Sequence, residues 1–200
     1  MGLDAPLAVL MTAGIQRTGK SFLINQFIER QAFKVSHTVN PCTKGLWIYP
    51  KPLQTTTADG SPLNILVVDS EGLAAATADS PRHKSNDVQI FTLCLLLSSY
   101  FMYNQIGPID EQAIARFGYV ANLCQKIHLQ EFPTSEGIMP QFCWVLRDFA
   151  LKLADENGQA ISARTYLENS LKEHKGFSEQ TEHKNRTRRL LKSFFPERDC

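Results

Sequence analysis

The chain of 200 residues has almost no net charge, with 21 Lys and Arg against 20 Asp and Glu. Without a field of one sign, its surface as a whole is not drawn to nucleic acid or anionic lipid, and any phosphate binding has to be local. Long hydrophobic runs are missing as well. The longest, Ile90 to Tyr103, falls short of the roughly 20 residues that a membrane span needs, and Ser98 and Ser99 interrupt it, so it reads as a buried helix. The five cysteines, Cys42, Cys94, Cys124, Cys143 and Cys200, lack the short paired spacings of a zinc site, and their odd number does not suit a secreted disulfide framework. A reducing, cytoplasmic setting fits them better. Met1 to Pro6 carries no basic segment ahead of an apolar one, which argues against a signal peptide. Pro6 stands where a myristoylated Gly2 would require Ser or Thr, and Cys200, as the last residue, makes no prenylation box. Repeats and low-complexity tracts are absent, and the length suits one domain with a sizeable core.

What is present alternates between strand-like and helix-like segments. Leu7 to Thr12 is a short continuous apolar run, suited to a buried strand, and Lys20 to Gln31 reads as a helix with Phe22, Ile24, Phe27 and Ile28 on its apolar face. A polar loop from His37 feeds a strand at Leu46 to Tyr49. Asp59-Gly60 is a hairpin turn signal before a second buried strand at Leu63 to Val68. Ala74 to Asn86 reads as a mobile surface loop, followed by helices at Asp87 to Tyr103 and Asp110 to Gln130, with the breaker pair Gly107-Pro108 between them. Phe142 to Leu146 is a third buried strand, and helices are expected at Ser162 to Leu171 and Gln180 to Phe194. The last of these is basic through Lys184, Arg186, Arg188, Arg189 and Lys192, but Leu190, Leu191, Phe194 and Phe195 form a core-facing stripe. The basic residues therefore read as a solvated face and not as a nucleic-acid contact. His37, His83, His128, His174 and His183 show no ligand spacing. Strands alternating with helices predict an α/β chain with a mostly parallel sheet flanked by helices.

One segment carries explicit chemistry. Gly14-Ile15-Gln16-Arg17-Thr18-Gly19-Lys20-Ser21 matches the P-loop pattern in full, between an apolar strand and a helix. Glycines let the backbone approach phosphate, successive N–H groups turn inward, and the helix N-terminus adds its dipole. A chance match in such a chain arises about once in 100, given ordinary glycine usage. Lys20 is expected to reach the β- and γ-phosphates and Ser21 to ligate Mg²⁺. Asp69-Ser70-Glu71-Gly72, at a strand end, offers Asp69 as a further arm to the metal and the Gly72 N–H to the γ-phosphate. Thr43, in the polar loop between these motifs, has a hydroxyl placed to complete the Mg²⁺ shell. The three-layer P-loop NTPase fold follows from this motif in an α/β chain.

In order and spacing, five blocks resemble the guanylate-binding proteins, large GTPases of the dynamin-like superfamily, including plant and protist-like members. They are the P-loop itself, Cys42-Thr43-Lys44-Gly45-Leu46-Trp47, Asp69-Ser70-Glu71-Gly72, Leu97-Ser98-Ser99-Tyr100 with Tyr103-Asn104-Gln105, and Trp144-Val145-Leu146-Arg147-Asp148-Phe149. The resemblance runs from about Leu7 to Cys200. It implies a GTPase with GTP as substrate and Mg²⁺ as cofactor, the nucleotide lying along Gly14, Ile15, Gln16, Arg17, Thr18, Gly19, Lys20, Ser21 and Phe22, with Gly72 at the γ-phosphate. Arg17 would be an internal arginine finger, Glu71 part of the network that positions the attacking water, and Lys20 and Thr43 its catalytic companions. Arg147-Asp148 would hold the base: a carboxylate accepts from the N1–H and 2-amino group of guanine together, whereas adenine presents an acceptor there. Members of the family pair through their nucleotide faces, so a nucleotide-dependent homodimer is implied, with peripheral membrane association only in a longer form.

Two departures stand out. Pro41 occupies the place of a serine that helps orient the water in many members, and proline has no hydroxyl or N–H to offer. Family G domains also continue beyond the segment resembling Phe194 to Cys200 into a strand and a guanine cap, so residues 1–200 are expected to form an incomplete G domain without that cap or the following helical domain. These departures leave a second reading open, a truncated or degenerate nucleotide-binding module that acts through partners without efficient turnover. A P-loop ATPase or kinase of another class is the third.

Overall fold

The computed structural model describes residues 5–35, 43, 45–72, 81–131 and 139–200, with backbone alone at residues 81–88, 120 and 123–131. The chain divides into two compact units, Met1–Gln105 and Ile106–Cys200.

The first unit is built on β1 (Leu7–Gly14), which lies parallel between β4 (Pro62–Ser70) and β5 (Tyr100–Ile106). Two short antiparallel strands, β2 (Leu46–Ile48) and β3 (Leu53–Thr56), divide the other edge of β4. Helices α1 (Lys20–Phe27) and α2 (Pro81–Leu97) pack on this sheet. One core joins Ile24, Ile28 and Phe33 to Val67 of β4. A second is aromatic: Phe91 of α2 meets Phe101 of β5 edge-on at 5.2 Å and Tyr103 at 6.1 Å. β5 is buried over nearly all its length, and a strand covered on both faces needs no alternation, which is why Tyr100 to Tyr103 is continuously apolar before Asn104 and Gln105.

That continuity misleads a reading by periodicity. The stretch expected to be one buried helix as far as Tyr103 is α2 followed by a strand. Ser98 ends the helix by donating its hydroxyl to the Leu95 carbonyl, and Ser99 ties the chain to β1 through Ser99 N–H to Val9 O and Val9 N–H to Ser99 Oγ. The helix also starts earlier than expected, at Pro81, so 81–86 is not loop; proline suits a first helical turn because no intrahelical donor is needed there. Residues 74–80 of the expected loop lie outside the described residues. α1 stops at Phe27, short of Gln31, and only Ile24 and Ile28 of its expected apolar face are buried, Phe22 and Phe27 being exposed. β3 was not anticipated.

The second unit pairs β6 (Gln141–Arg147) in parallel with β7 (Arg198–Asp199), another strand not anticipated, and adds α3 (Glu111–Glu131), α4 (Ala163–Ser170) and α5 (Glu179–Phe194). Ser162 and Ser178 cap α4 and α5, each accepting from the N–H three residues on, at 3.0 and 3.1 Å. Phe142 and Phe195 stack at 4.6 Å, and Phe117 of α3 stacks on both, with Trp144 edge-on. The parallel pairings and packed helices make the chain α/β with a mostly parallel sheet pattern, as expected.

One charged residue of α5 departs from the expected solvated face. Arg188 is buried, and both its Nη atoms donate to the Glu111 carboxylate at the start of α3, which also meets His174 at 2.9 Å. The Arg188 guanidinium, with His174 and Lys184, holds the Glu111 carboxyl down at about 2, against 4.5 for the ordinary group. Glu111 binds fewer protons in the folded than in the unfolded state between those values. Its contribution is therefore complete above the unfolded value and is lost as pH falls toward about 2. Thermal melts across that acid range should show a steep loss of stability in the parent and a flatter, lower profile in Glu111→Gln. Parallel profiles would remove Glu111 from the acid response.

Candidate functional site

β1 delivers the chain into the P-loop at Gly14, whose φ of 147° and closeness to Asn104 exclude a side chain: a Cβ there would sit 2.1 Å from the Asn104 carbonyl oxygen. The loop then turns through Arg17, at φ 66°, and Gly19, at φ 79°, the latter being the N-cap of α1 with no side-chain cap bond. A left-handed arginine is a strained residue in a loop where glycine would be at ease. Lys20 is buried and donates from Nζ to the Ile15 carbonyl at 3.0 Å, and Thr18 Oγ1 donates to the same oxygen at 2.9 Å. Both bonds hold the loop curled with the lysine inside it.

Beside the loop, β4 ends in Asp69 and Ser70, both buried. Ser70 Oγ donates to the Thr12 carbonyl at 2.6 Å, fixing the end of β4 to β1. Asp69 Oδ2 accepts from Ser21 Oγ at 2.5 Å and from Thr43 Oγ1 at 3.3 Å, and the two hydroxyls are 3.3 Å from each other. Asp69 Oδ1 is buried with no hydrogen-bond partner. Burial pushes the Asp69 carboxyl up, while the Ser21 hydroxyl and then the Lys20 charge pull it back. Three residues chosen from sequence as metal arms thus meet at one point, although they come from positions 22 to 48 apart.

Glu71 and Gly45 exchange two bonds, Glu71 N–H to Gly45 O at 2.7 Å and Gly45 N–H to Glu71 Oε2 at 2.8 Å. They extend the antiparallel pairing of β2 with β4 by a step, beyond Leu46↔Ser70. Gly72 follows directly against the P-loop: a Cβ on it would lie 2.4 Å from Gln16 Cα and 2.8 Å from Gln16 N. Gly14 to Ser21, Thr43, Asp69, Glu71 and Gly72 therefore form one constellation in the first unit. Phe22, expected to contact nucleotide, is 46% exposed on α1. Lys44 and Pro41 lie outside the described residues.

Arg147 and Asp148 belong to the second unit, at the end of β6. The Arg147 carbonyl accepts from Gly107 N–H at 2.8 Å, and Asp148 is exposed with φ 51°, a left-handed conformation that aspartate, like asparagine, tolerates better than most residues. Asn104 is a residue of the site to which sequence gave no role. It donates to Thr18 from the carboxyl end of β5, the strand next to the P-loop strand, where open α/β sheets place their ligands. Periodicity hides that position, because the apolar stretch that runs into β5 reads as helix as far as Tyr103.

The chain is 37% identical over 206 residues to guanylate-binding protein 3 of Mus musculus and 35% identical over 208 to guanylate-binding protein 2 of that species, covering 98% and 99% of this chain. Guanylate-binding protein 2 of Homo sapiens is 34% identical over 212 residues. The chain spans about a third of the length of these curated relatives, between 32% and 34%. Among solved structures, Aquifex aeolicus Era bound to GDP and AlF4⁻ superposes with a TM-score of 0.40 and 16% identity over 68% of this chain and 51% of that one, too slight a likeness to add weight. The family model for the guanylate-binding protein N-terminal domain matches residues 2–200, and the chain belongs to that family.

Proposed function

We propose that this chain binds guanine nucleotide and, with Mg²⁺, hydrolyses GTP to GDP and phosphate. The observation that carries the reading is the meeting of the Ser21 and Thr43 hydroxyls on Asp69 Oδ2, beside a P-loop whose lysine is already turned inward. These residues fit Mg²⁺. One carboxylate with an unmet, buried oxygen and two hydroxyls is a hard oxygen set of the kind that leaves the remaining positions to phosphate and water. Among the described residues there is no cluster of three or more His, Cys, Asp or Glu, and Mg²⁺ needs none. When bound, Mg²⁺ would neutralise charge on the β- and γ-phosphate oxygens.

The chain's own groups divide the rest of the work. Lys20 exchanges the Ile15 carbonyl for phosphate oxygens, and the amides of residues 15 to 20 line the tail. Gly72, in van der Waals reach of Gln16, carries its N–H to the γ-phosphate. Glu71 orients the attacking water, whose oxygen bonds to the γ-phosphorus as the bond to the β–γ bridging oxygen breaks and GDP leaves. Arg17 neutralises the charge that develops. Arg147 and Asp148 select guanine, Asp148 accepting two donors of the base. The family's pairing through nucleotide faces would set Arg17 in place, making the working form a nucleotide-dependent homodimer in the cytoplasm. Among the described residues no helix is long and apolar enough to cross a membrane.

Phosphate release from GTP, followed with and without Mg²⁺ and with ATP as competitor, tests this. Release should need Mg²⁺ and be suppressed by GDP far more than by ATP or ADP. A preference for ATP would defeat the role given to Asp148. Tight GDP binding with no release would favour the module without turnover, and absence of affinity for GTP and GDP in folded protein would end the nucleotide reading.

A further inference from the structure

Asn104 is fully buried in β5, in register with Gly14 of β1. Its main chain occupies the space that a side chain on Gly14 would need. Its side chain reaches the far end of the same loop, where Nδ2 donates to the Thr18 carbonyl at 2.8 Å and to Thr18 Oγ1 at 2.8 Å. Both acceptors are fixed in role. A carbonyl can only accept, and the Thr18 hydroxyl has already placed its proton on Ile15 O, so it offers Nδ2 a lone pair. The amide orientation follows, because reversing it would set Oδ1 against another oxygen. Oδ1 itself is buried with no hydrogen-bond partner. A buried acceptor left unmet is a cost that an apolar side chain would avoid. What the Asn104 side chain supplies here is its two donors.

We propose that Asn104 is a positioning residue for nucleotide binding, holding the start of the P-loop with its backbone and the end of it with its amide. Thr18, held this way, fixes the Ile15 carbonyl, which in turn receives Lys20 Nζ. Curvature of the loop, and with it the direction of its amides and its lysine, is thereby set from a neighbouring strand. The inference rests on the nucleotide reading above.

Asn104→Asp is the sharpest probe, since it keeps the shape, removes both donors and places an acceptor against the Thr18 carbonyl. Asn104→Ala and Thr18→Val accompany it, alone and combined. The readouts are the Kd of a fluorescent GDP, KM and kcat for GTP, and the thermal melt, all at a temperature where each variant is fully folded. Losing two neutral hydrogen bonds should weaken GDP binding about thirty-fold in Asn104→Ala, and Asn104→Asp should be weaker still. KM should rise in step, and kcat should fall as well, because Arg17 and Lys20 ride on the loop that Thr18 curves. Thr18→Val and Asn104→Ala together should cost less than the sum of the two alone, because both remove the Asn104–Thr18 Oγ1 bond, while Thr18→Val also loses the Thr18 bond to the Ile15 carbonyl. Folded Asn104 variants with parental Kd would overturn the inference, and so would failure of every Asn104 variant to fold, which would make Asn104 a core residue only. A parent protein without affinity for GDP would instead overturn the nucleotide reading on which it rests.

Discussion

Arg17→Ala should lower the GTP turnover of the protein by about a thousand-fold, the lower end of what an arginine finger supplies, while GDP affinity stays within a few-fold of the parent. Arg17 sits at φ 66°, where a residue with a Cβ is strained, in a loop whose purpose is close approach to phosphate. Glycine would serve the cradle better, so the backbone conformation gives no reason for arginine here. On the proposed function, the exposed Arg17 guanidinium would meet negative charge as the γ-phosphoryl group transfers. Arg17→Gly separates the contributions. It relieves the backbone and still removes the cation, so its turnover should be as low as that of Arg17→Ala although its fold is no less stable. Single-turnover phosphate release alongside GDP titration is the measurement. Parental rates in either variant would take Arg17 out of the mechanism.

The second large effect is expected at Gly72. An added Cβ would lie 2.4 Å from Gln16 Cα, 2.7 Å from Gln16 Cγ and 2.8 Å from Gln16 N. A flexible side chain could swing away from such contacts, but two of the three are P-loop backbone. Either the loop moves or the Asp69–Gly72 segment does, and both displacements separate Gly72 from the phosphate cradle. Gly72→Ala should therefore weaken binding of a slowly hydrolysed GTP analogue by about a hundred-fold, the outcome when a small misplacement reaches the reacting centre. GDP, which has no γ-phosphate for Gly72 to meet, should lose less. Gly60→Ala is the control: Gly60 has φ 85° and nothing within 4 Å of an added Cβ. That substitution carries backbone strain of about 1–2 kcal/mol, and the affinity for nucleotide should stay unchanged. Equal affinities in Gly72→Ala and the parent would show that these segments do not bear on each other.

Legibility in the sequence followed the range of the interaction. The P-loop is eight consecutive residues whose chemistry is local, and Asp69 sits at the end of a buried run, so both could be read directly. The meeting of Ser21, Thr43 and Asp69 could be anticipated as well, because the P-loop reading asks hydroxyl and carboxylate oxygens from these segments to converge. Asn104 could not. It acts 86 residues from its partner, and its strand lies in an apolar stretch where burial on both faces erases the period that separates helix from strand. Arg188 failed for a related reason. Among five basic residues on one helix, nothing local marks the one that will face Glu111, and only the packing of α3 on α5 turns it inward. Phe22 and Phe27 erred in the other direction, being apolar and helical yet left outside the core that Ile24 and Ile28 enter.

The pair of hydrogen bonds between Glu71 and Gly45 gives the site a clasp. It buttons the stretch carrying Thr43 to the stretch carrying Gly72, so that neither hem travels alone. A tug on Gly72 arrives at Gly45 across a single rung, two residues from a hydroxyl that leans on Asp69. A shift at either border would then be felt at the other in one movement.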